Sequence, residues 1–318
     1  MRVQYRMDKL GFSEDEIPSA STIKRIVKKH GLKVNKRDRY KRVKSEKRYT
    51  LLNPTQIDEM HQMDFVGPRF IKGYGAISSL HLIDVVSTRV HIEQFDSKSM
   101  DNVITFLIKY WSNNPIPRYL QVDNGMYFIG DFKNPRRFSR FVRLCLYVGI
   151  EVVFIAPSSP WMDGSIENFN NWFGSKFWDK ETFENMEDIR TRSLHFVDQH
   201  NDLGAWKKRH EKLERIEPVR ILKDAAEINL NILPVTDGKV HFIRQVDDDG
   251  GRINVLNEAL KVGEEFVSEY VWATICTGNR KMEVYYRAKD QDVAVLIKEF
   301  DYELNEEVKP RRDDIWKT

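Results

Sequence analysis

From about residue 58 the apolar pattern of this 318-residue chain reads as strand three times in succession, and only then as helix. Residues 60–66, 77–86 and 89–95 form the strand run, with a Gly-rich turn at Gly73 and Gly75 after the first, and predict an antiparallel meander. Residues 100–111 then take helical spacing, with Val103, Ile104, Leu107, Ile108 and Trp111 on one face, ended by Pro115 and Pro117. A short strand at 119–122 stops at Asp123-Asn124-Gly125. A helix at 138–147, a strand at 152–155, the turn Pro157-Ser158-Ser159-Pro160 and a helix at 164–178 complete the series. Three strands followed by alternating helix and strand predict a mixed five-stranded sheet with helices on both faces.

That element order is the order of a ribonuclease H-like fold, and three carboxylates fall where such a sheet gathers its side chains. Asp64 sits inside the first strand between Met63 and Phe65, where an Asp is disfavoured unless it has a task. Asp123 stands at the carboxyl end of the fourth strand, a position that a turn alone also explains. Glu167 lies in the first turns of the last core helix, where the helix dipole favours an acid in any case. On that helix Ile166, Phe169, Phe173 and Phe177 make the buried stripe, so Glu167, Asn171 and Gly174 occupy another face. Asp163, four residues earlier, reads as a turn residue. Convergent carboxylates suit a hard, oxygen-preferring ion such as Mg²⁺ (or Mn²⁺), and two such ions about 4 Å apart can serve an in-line phosphoryl displacement.

The charge is unevenly placed. Residues 1–48 hold 16 basic against 6 acidic residues, leaving 35 against 42 in the remainder, although the whole chain carries only +3. Residues 33–48 are basic at nine of sixteen positions and lack apolar periodicity, which suits either a solvated linker or an arm on phosphates. Before them, residues 18–31 predict a short basic helix capped by Ser21 or Ser19 and ended by Gly31. Its exposed Lys24, Arg25, Lys28 and Lys29, with Ser21 and Thr22 at its start, fit the second helix of a partial helix-turn-helix. A mean hydropathy of −0.54 and the lack of a long uncharged apolar run argue against a membrane span. No leader pattern opens the sequence, and two distant cysteines, Cys145 and Cys276, fit a reducing, cytoplasmic setting without a Cys-rich zinc site. His200 and His210 likewise lack the spacing of a zinc site.

Beyond Pro234 the pattern becomes short strands at 239–245, 251–256, 270–277, 281–287 and 293–300, which predict a small β-barrel. The expected division is therefore a partial helix-turn-helix and basic linker at 1–49, a catalytic core at 50–228, a small barrel at 229–304 and a frayed tail at 305–318.

At His61-Gln62-Met63-Asp64-Phe65, Gln121-Val122-Asp123-Asn124-Gly125 and the run from Pro157 through Gly164 and Glu167 to Asn170, the sequence resembles DDE integrase-type transposases of bacterial insertion sequences. Their catalytic core is shared with retroviral integrases. The resemblance extends over about residues 15–290, including the Ser/Thr-rich recognition helix and a closing segment at His200-Asn201, His210 and Pro218. It implies that Asp64, Asp123 and Glu167 bind two metal ions when DNA is present, and that the C-terminal barrel is SH3-like. It implies further that the partners are double-stranded DNA, as inverted-repeat ends and as target, and a second copy or more of the chain. Two departures stand out: 43 residues separate Asp123 from Glu167, longer than the family's common spacing, and the Arg-Pro-His element is replaced by Ala205-Trp206-Lys207-Lys208-Arg209-His210. The extra length fits a basic insertion at 130–137.

The expected activity is metal-dependent cleavage at transposon ends and strand transfer into target DNA. The alternatives are a transposase-derived DNA-binding protein without catalysis, and a plain ribonuclease H-type nuclease. DNA contacts are expected from Ser21, Thr22, Lys24, Arg25, Lys28, Lys29, Lys36, Arg37, Arg39, Lys41 and Arg42, and within the core from Asn124 and Asn171. If residues 1–48 contact on the order of six phosphates, log affinity for DNA should fall by about 0.9 per contact for each tenfold rise in salt. Deleting them should flatten that slope in a salt titration of binding; an unchanged slope would make the arm a spacer only.

Overall fold

The computed structural model describes residues 2–31, 52–130, 134–208, 213–223, 228–230, 232–288, 291, 293–312 and 314–317. Two helices come first, α1 (Arg2–Lys9) and α2 (Ala20–Lys29). Of the two candidate caps it is Ser19 that accepts from the Thr22 amide, at 3.2 Å, and Ser21 instead shares a hydrogen bond with the Ser19 hydroxyl at 2.8 Å. No residue of α2 is buried, so Lys24, Arg25, Lys28 and Lys29 stand in solvent. Lys36, Arg37, Arg39, Lys41 and Arg42 lie outside the described residues.

The core follows the expected order. Strands β1 (Met60–Ile71), β2 (Gly75–Asp84) and β3 (Val90–Phe95) form the antiparallel meander, then α3 (Met100–Trp111) leads to β4 (Tyr119–Val122). A short helix α4 (Met126–Ile129) and α5 (Arg140–Tyr147) precede β5 (Glu151–Phe154), and a 3₁₀ turn (Pro160–Asp163) runs into α6 (Gly164–Phe173). One π-helical turn (Gly174–Trp178) and the long α7 (Met186–Lys208) close the core. β1 is antiparallel to β2 and parallel to β4, which is parallel to β5. The α6 stripe of Ile166, Phe169, Phe173 and Phe177 packs with Ile189 and Val197 of α7 on one face of the sheet; α3 and α5 cover the other. In β1 the register shifts between Val66 and Arg69, where Gly67 takes φ +104° and a Cβ would come within 3.0 Å of the Ile77 carbonyl.

The C-terminal strands depart from expectation. β8 (Lys239–Gln245), β9 (Arg252–Val255), β11 (Tyr270–Cys276), β12 (Lys281–Tyr286) and β13 (Val295–Asp301) form where predicted, and β10 (Glu258–Lys261) completes a hairpin with β9. Yet β8 pairs in parallel with β5, through Val152 with Val240, Val153 with His241 and Phe154 with Phe242. The result is one nine-stranded sheet in the order β13-β12-β11-β8-β5-β4-β1-β2-β3. The separate barrel expected at 229–304 is thus an extension of the core sheet, and the division at residue 228 is crossed by strand pairing. The reason is physical: β5 is apolar on both faces, and an open edge there would leave backbone donors and acceptors unpaired. Phe242 stacks on Phe154 with ring centroids 5.0 Å apart, and His241 bonds Glu151 at 2.8 Å across the same seam.

The tail is also held rather than frayed. Two-residue strands β6 (Ile221–Leu222) and β7 (Val235–Thr236) receive β15 (Trp316–Lys317) and β14 (Val308–Lys309), and Arg143 pairs with Glu306. Trp316 lies under the Arg220 guanidinium at 5.0 Å, a cation–π contact that helps hold the tail. Within the basic insertion, Arg136 makes two 2.7 Å hydrogen bonds to Glu258 and sits 4.7 Å over the Tyr302 ring. Among the described residues, no helix is long and apolar enough to cross a membrane.

A joined sheet should melt as one unit. Phe242→Ala, which removes a fully buried ring, should cost about 3–5 kcal/mol. In calorimetry the whole chain should then unfold in one earlier transition; a second transition with the core unmoved would restore the two-domain division.

Candidate active site

β1 carries Asp64 opposite His81 of β2, and its neighbour β4 ends immediately before Asp123. Glu167 falls in the first turn of α6, whose start is fixed by Gln62: the Ile166 amide donates to Gln62 Oε1 at 3.0 Å. Because Gln62 and Asp64 are two residues apart on one strand, they share a face, and the helix tied to one is brought against the other. Asp64, Asp123 and Glu167 accordingly line one cavity of about 430 Å³, together with Asn124, Gly125, Asp163 and the loop from Ile155 to Ser159.

The carboxylates are held individually. Asn170, one turn along α6 from Glu167, donates to Asp64 Oδ2 at 2.8 Å, and its own carbonyl oxygen lies 2.7 Å from His81 Nδ1. His81 is wholly buried and its pKa falls to about 4, through desolvation, so it remains neutral and can donate to Asn170. Asp123 accepts from the Gly125 amide at 2.8 Å and from the Tyr127 hydroxyl. Gln121 donates to Asp163 Oδ1 at 2.6 Å and to the Met162 carbonyl at 2.9 Å.

Crowding acids into a shielded pocket raises their affinity for protons. Asp64 is pushed up to about 6, first by burial and then by Asp123, with Lys98 opposing. Burial likewise raises Asp123. Asp163 is pushed up to about 7 by burial, and Asp64, Asp123 and Glu167 all add to the push. Asp163 is therefore no plain turn residue: at 6% exposed it is a fourth acid of the same pocket. Its place at the end of a 3₁₀ turn, which sequence reads only as a turn, conceals that role. Gln62, Gln121, Asn170, His81 and Lys98 were also missed, since each acts across strands or between strand and helix.

Other expected residues fare differently. Asn124 belongs to the pocket, donating to the Ile155 carbonyl at 2.7 Å and accepting from Arg244 at 2.9 Å. Asn171 is exposed on α6 and does not line the cavity. His200 bonds the Thr88 carbonyl at 3.1 Å and packs on Phe169, and Asn201 spans both backbone groups of Val90, so this pair fastens α7 to β3. His210 lies outside the described residues.

A second acidic group stands at the start of β1. Ligand atoms of Asp58, His61 and Asp84 lie within 4.8 Å of one another, close enough for one cation. Its carboxylates already have partners: Asp84 accepts from the amides of Asp58 and Ser87 at 2.8 and 2.5 Å, and Asp58 pairs with Arg215 at 2.9 Å. This group clasps the entry to β1 against the β2–β3 turn.

No protein-family model and no curated protein sequence matches the chain. Solved structures do resemble it. The likeness is to integrase catalytic cores. The HTLV-2 integrase catalytic core domain, solved in complex with magnesium in a trimeric form, is 15% identical over 52% of this chain and 93% of that one, with a TM-score of 0.32. The BIV integrase catalytic core domain is 16% identical over 49% of this chain and 86% of that one, with a TM-score of 0.30.

The raised carboxyl group gives a signed pH prediction. Asp64 titrates near 6 in the folded chain against 3.8 as its ordinary value, so the stability it leaves intact is full below about pH 4 and is lost as pH rises through 6. Asp64→Asn removes that loss. Its free energy of unfolding, from denaturant titration, should match wild type near pH 4 and exceed it at pH 8 by on the order of 2–3 kcal/mol. A difference independent of pH would show that Asp64 carries no such strain.

Proposed function

We propose that the chain is a DDE-type polynucleotidyl transferase, a transposase-integrase that cuts DNA at element ends and joins the freed 3′ end to target DNA. One observation carries the reading: three carboxylates from separate elements, β1, the end of β4 and the first turn of α6, line a single cavity. The motif resemblance gives those three residues their roles, and the pocket's electrostatics supports it.

The donor set fits a hard divalent cation. It is all oxygen and partly buried, and burial together with the Asp123 charge raises the proton affinity of Asp64, a state that a bound cation would relieve. Asp64 and Asp123 would hold one Mg²⁺ (or Mn²⁺), and Asp64 with Glu167 the other. Bound there, the ions would make the attacking oxygen a better nucleophile and stabilise the leaving one. The protein's part is to hold geometry: His81 fixes Asn170, Asn170 fixes Asp64, and Gln62 fixes the turn bearing Glu167. To hold a cation Asp64 would have to be ionised, so metal affinity should rise with pH through about 6. The Lys98 ammonium, which acts on both Asp64 and Asp123, offers a positive charge toward the scissile phosphate.

The exposed basic face of α2 supplies contacts to double-stranded DNA, with Lys24, Arg25, Lys28 and Lys29 on phosphates and Ser21 and Thr22 toward base edges. Two element ends must be brought together, so the working form is a dimer or larger assembly on DNA.

Asp64→Asn, Asp123→Asn and Glu167→Gln should each lower Mg²⁺- or Mn²⁺-dependent DNA cleavage by 10² or more while changing DNA affinity little. Asp84→Asn, in the other acidic group, should lower the melting temperature and leave the metal dependence of cleavage unchanged. Nicking of supercoiled plasmid, read beside thermal melts, separates these outcomes. Full activity in any one of the three pocket variants would end the assignment.

A further inference from the structure

Arg244 of β8 is 6% exposed, yet every acceptor that holds it is neutral. Its guanidinium donates to the carbonyls of Asn254 at 2.8 Å, Ile155 at 3.2 Å and Ile243 at 2.8 Å, and to Asn124 Oδ1 at 2.9 Å. Among the described residues no carboxylate lies within ion-pair distance of it. An unpaired buried cation is costly, and replacing it with an apolar side chain would be the simpler way to fill a core. Burial pulls Arg244 down only to about 10, so the charge persists at neutral pH. A guanidinium has five N–H donors, and these contacts use four.

Arg244 and Asn124 line a second cavity, of about 550 Å³, that shares Asn124, Ala156 and Pro157 with the carboxylate pocket. Its charged lining is Arg244, Arg252 and Asp247, a balance of +1, and Asp247 Oδ1 already accepts the Arg252 amide at 2.8 Å. Two adjoining cavities therefore have opposite character, one acidic and one cationic, with the Asn124 side chain between them.

We propose that the second cavity is a phosphodiester subsite, in which the Arg244 guanidinium holds a backbone phosphate next to the one that reacts among the carboxylates. This rests on the reading of the carboxylate pocket as a DNA-processing site, and it makes the C-terminal strands part of that site. A DNA strand carries one charge per about 3.4 Å of rise, so a strand threading the acidic pocket must place further phosphates just outside it. There the counter-charge has to come from the protein. An arginine suits the task better than a lysine: it keeps its proton, and its planar fork is pre-set here by three carbonyls and an amide. Asn124 would transmit the position of that phosphate to the loop that begins at Asp123.

The test follows the Arg244 side chain itself, in the full-length protein labelled with ¹⁵N-arginine. The Nε–H signal of Arg244, assigned by its loss in Arg244→Lys, is recorded while a single-stranded thymidine tetranucleotide is added with Ca²⁺ present. Inorganic phosphate is titrated in parallel. The expected result is a saturable shift with the tetranucleotide, at least tenfold tighter than with phosphate, and the same shift in Asp64→Asn. No shift with the tetranucleotide overturns the proposal, and equal affinity for phosphate reduces the cavity to a free-anion site, which overturns it too. Because the signal requires no turnover, loss of the catalytic reading in the cleavage assay and loss of the subsite here remain separate results.

Discussion

Burial of carboxylates in one pocket, with repulsion from neighbouring acids as the lesser part, is the constraint around which the site is arranged. Asp64, Asp123, Asp163 and Glu167 face one cavity, and burial combined with neighbouring charge lifts Asp64 to about 6 and Asp163 to about 7. Left to themselves, such groups would turn outward to water. They are restrained by neutral donors, Asn170 on Asp64, Gln121 on Asp163 and Tyr127 with the Gly125 amide on Asp123. Neutral donors limit the repulsion without cancelling the charge. A salt bridge at each acid would have been more stabilising and would have used up the charge.

The contrast with Asp58, His61 and Asp84 makes the same point. There Arg215, His61 and backbone amides compensate two carboxylates whose ligand atoms lie within 4.8 Å of the His61 ring nitrogen and of each other. One group is compensated and serves as a clasp; the other is under-compensated and open to a cavity.

The second organising feature is the parallel seam between β5 and β8. β5 ends at Phe154, and the loop after it, Ile155 to Ser159, forms a wall of the carboxylate cavity. By pairing with that strand, β8 brings Arg244 against the Ile155 carbonyl and Asn124, so the end of the chain buttresses a wall of the candidate site. The tail strands β14 and β15 and the Arg143–Glu306 pair fasten the last residues to the core.

Much of this could be read from residues alone. The change from strand to helix spacing set the order of elements from β1 to α6, and the limits of α3 and β4 agree with the pattern because local periodicity and proline and glycine breaks define them. Asp64, Asp123 and Glu167 were visible as candidates because an acid inside an apolar strand, one at a strand end and one at a helix start each stand out locally. The α2 helix was legible for the same reason, while the choice between Ser19 and Ser21 as its cap was left to the structure. The pairing partner of β8 was not, since alternation marks a strand but not which edge it joins, and the five C-terminal strands fit a closed barrel as well as an extended sheet. Nor was Asp163 distinguishable from a turn residue, because its burial depends on Gln121, 42 positions away. Nothing local in the 239–245 strand marks Arg244 as buried. Sequence fixes short-range features through backbone preference and hydrophobic period; only tertiary structure decides which distant backbone edges satisfy one another, and so which charges end up buried side by side.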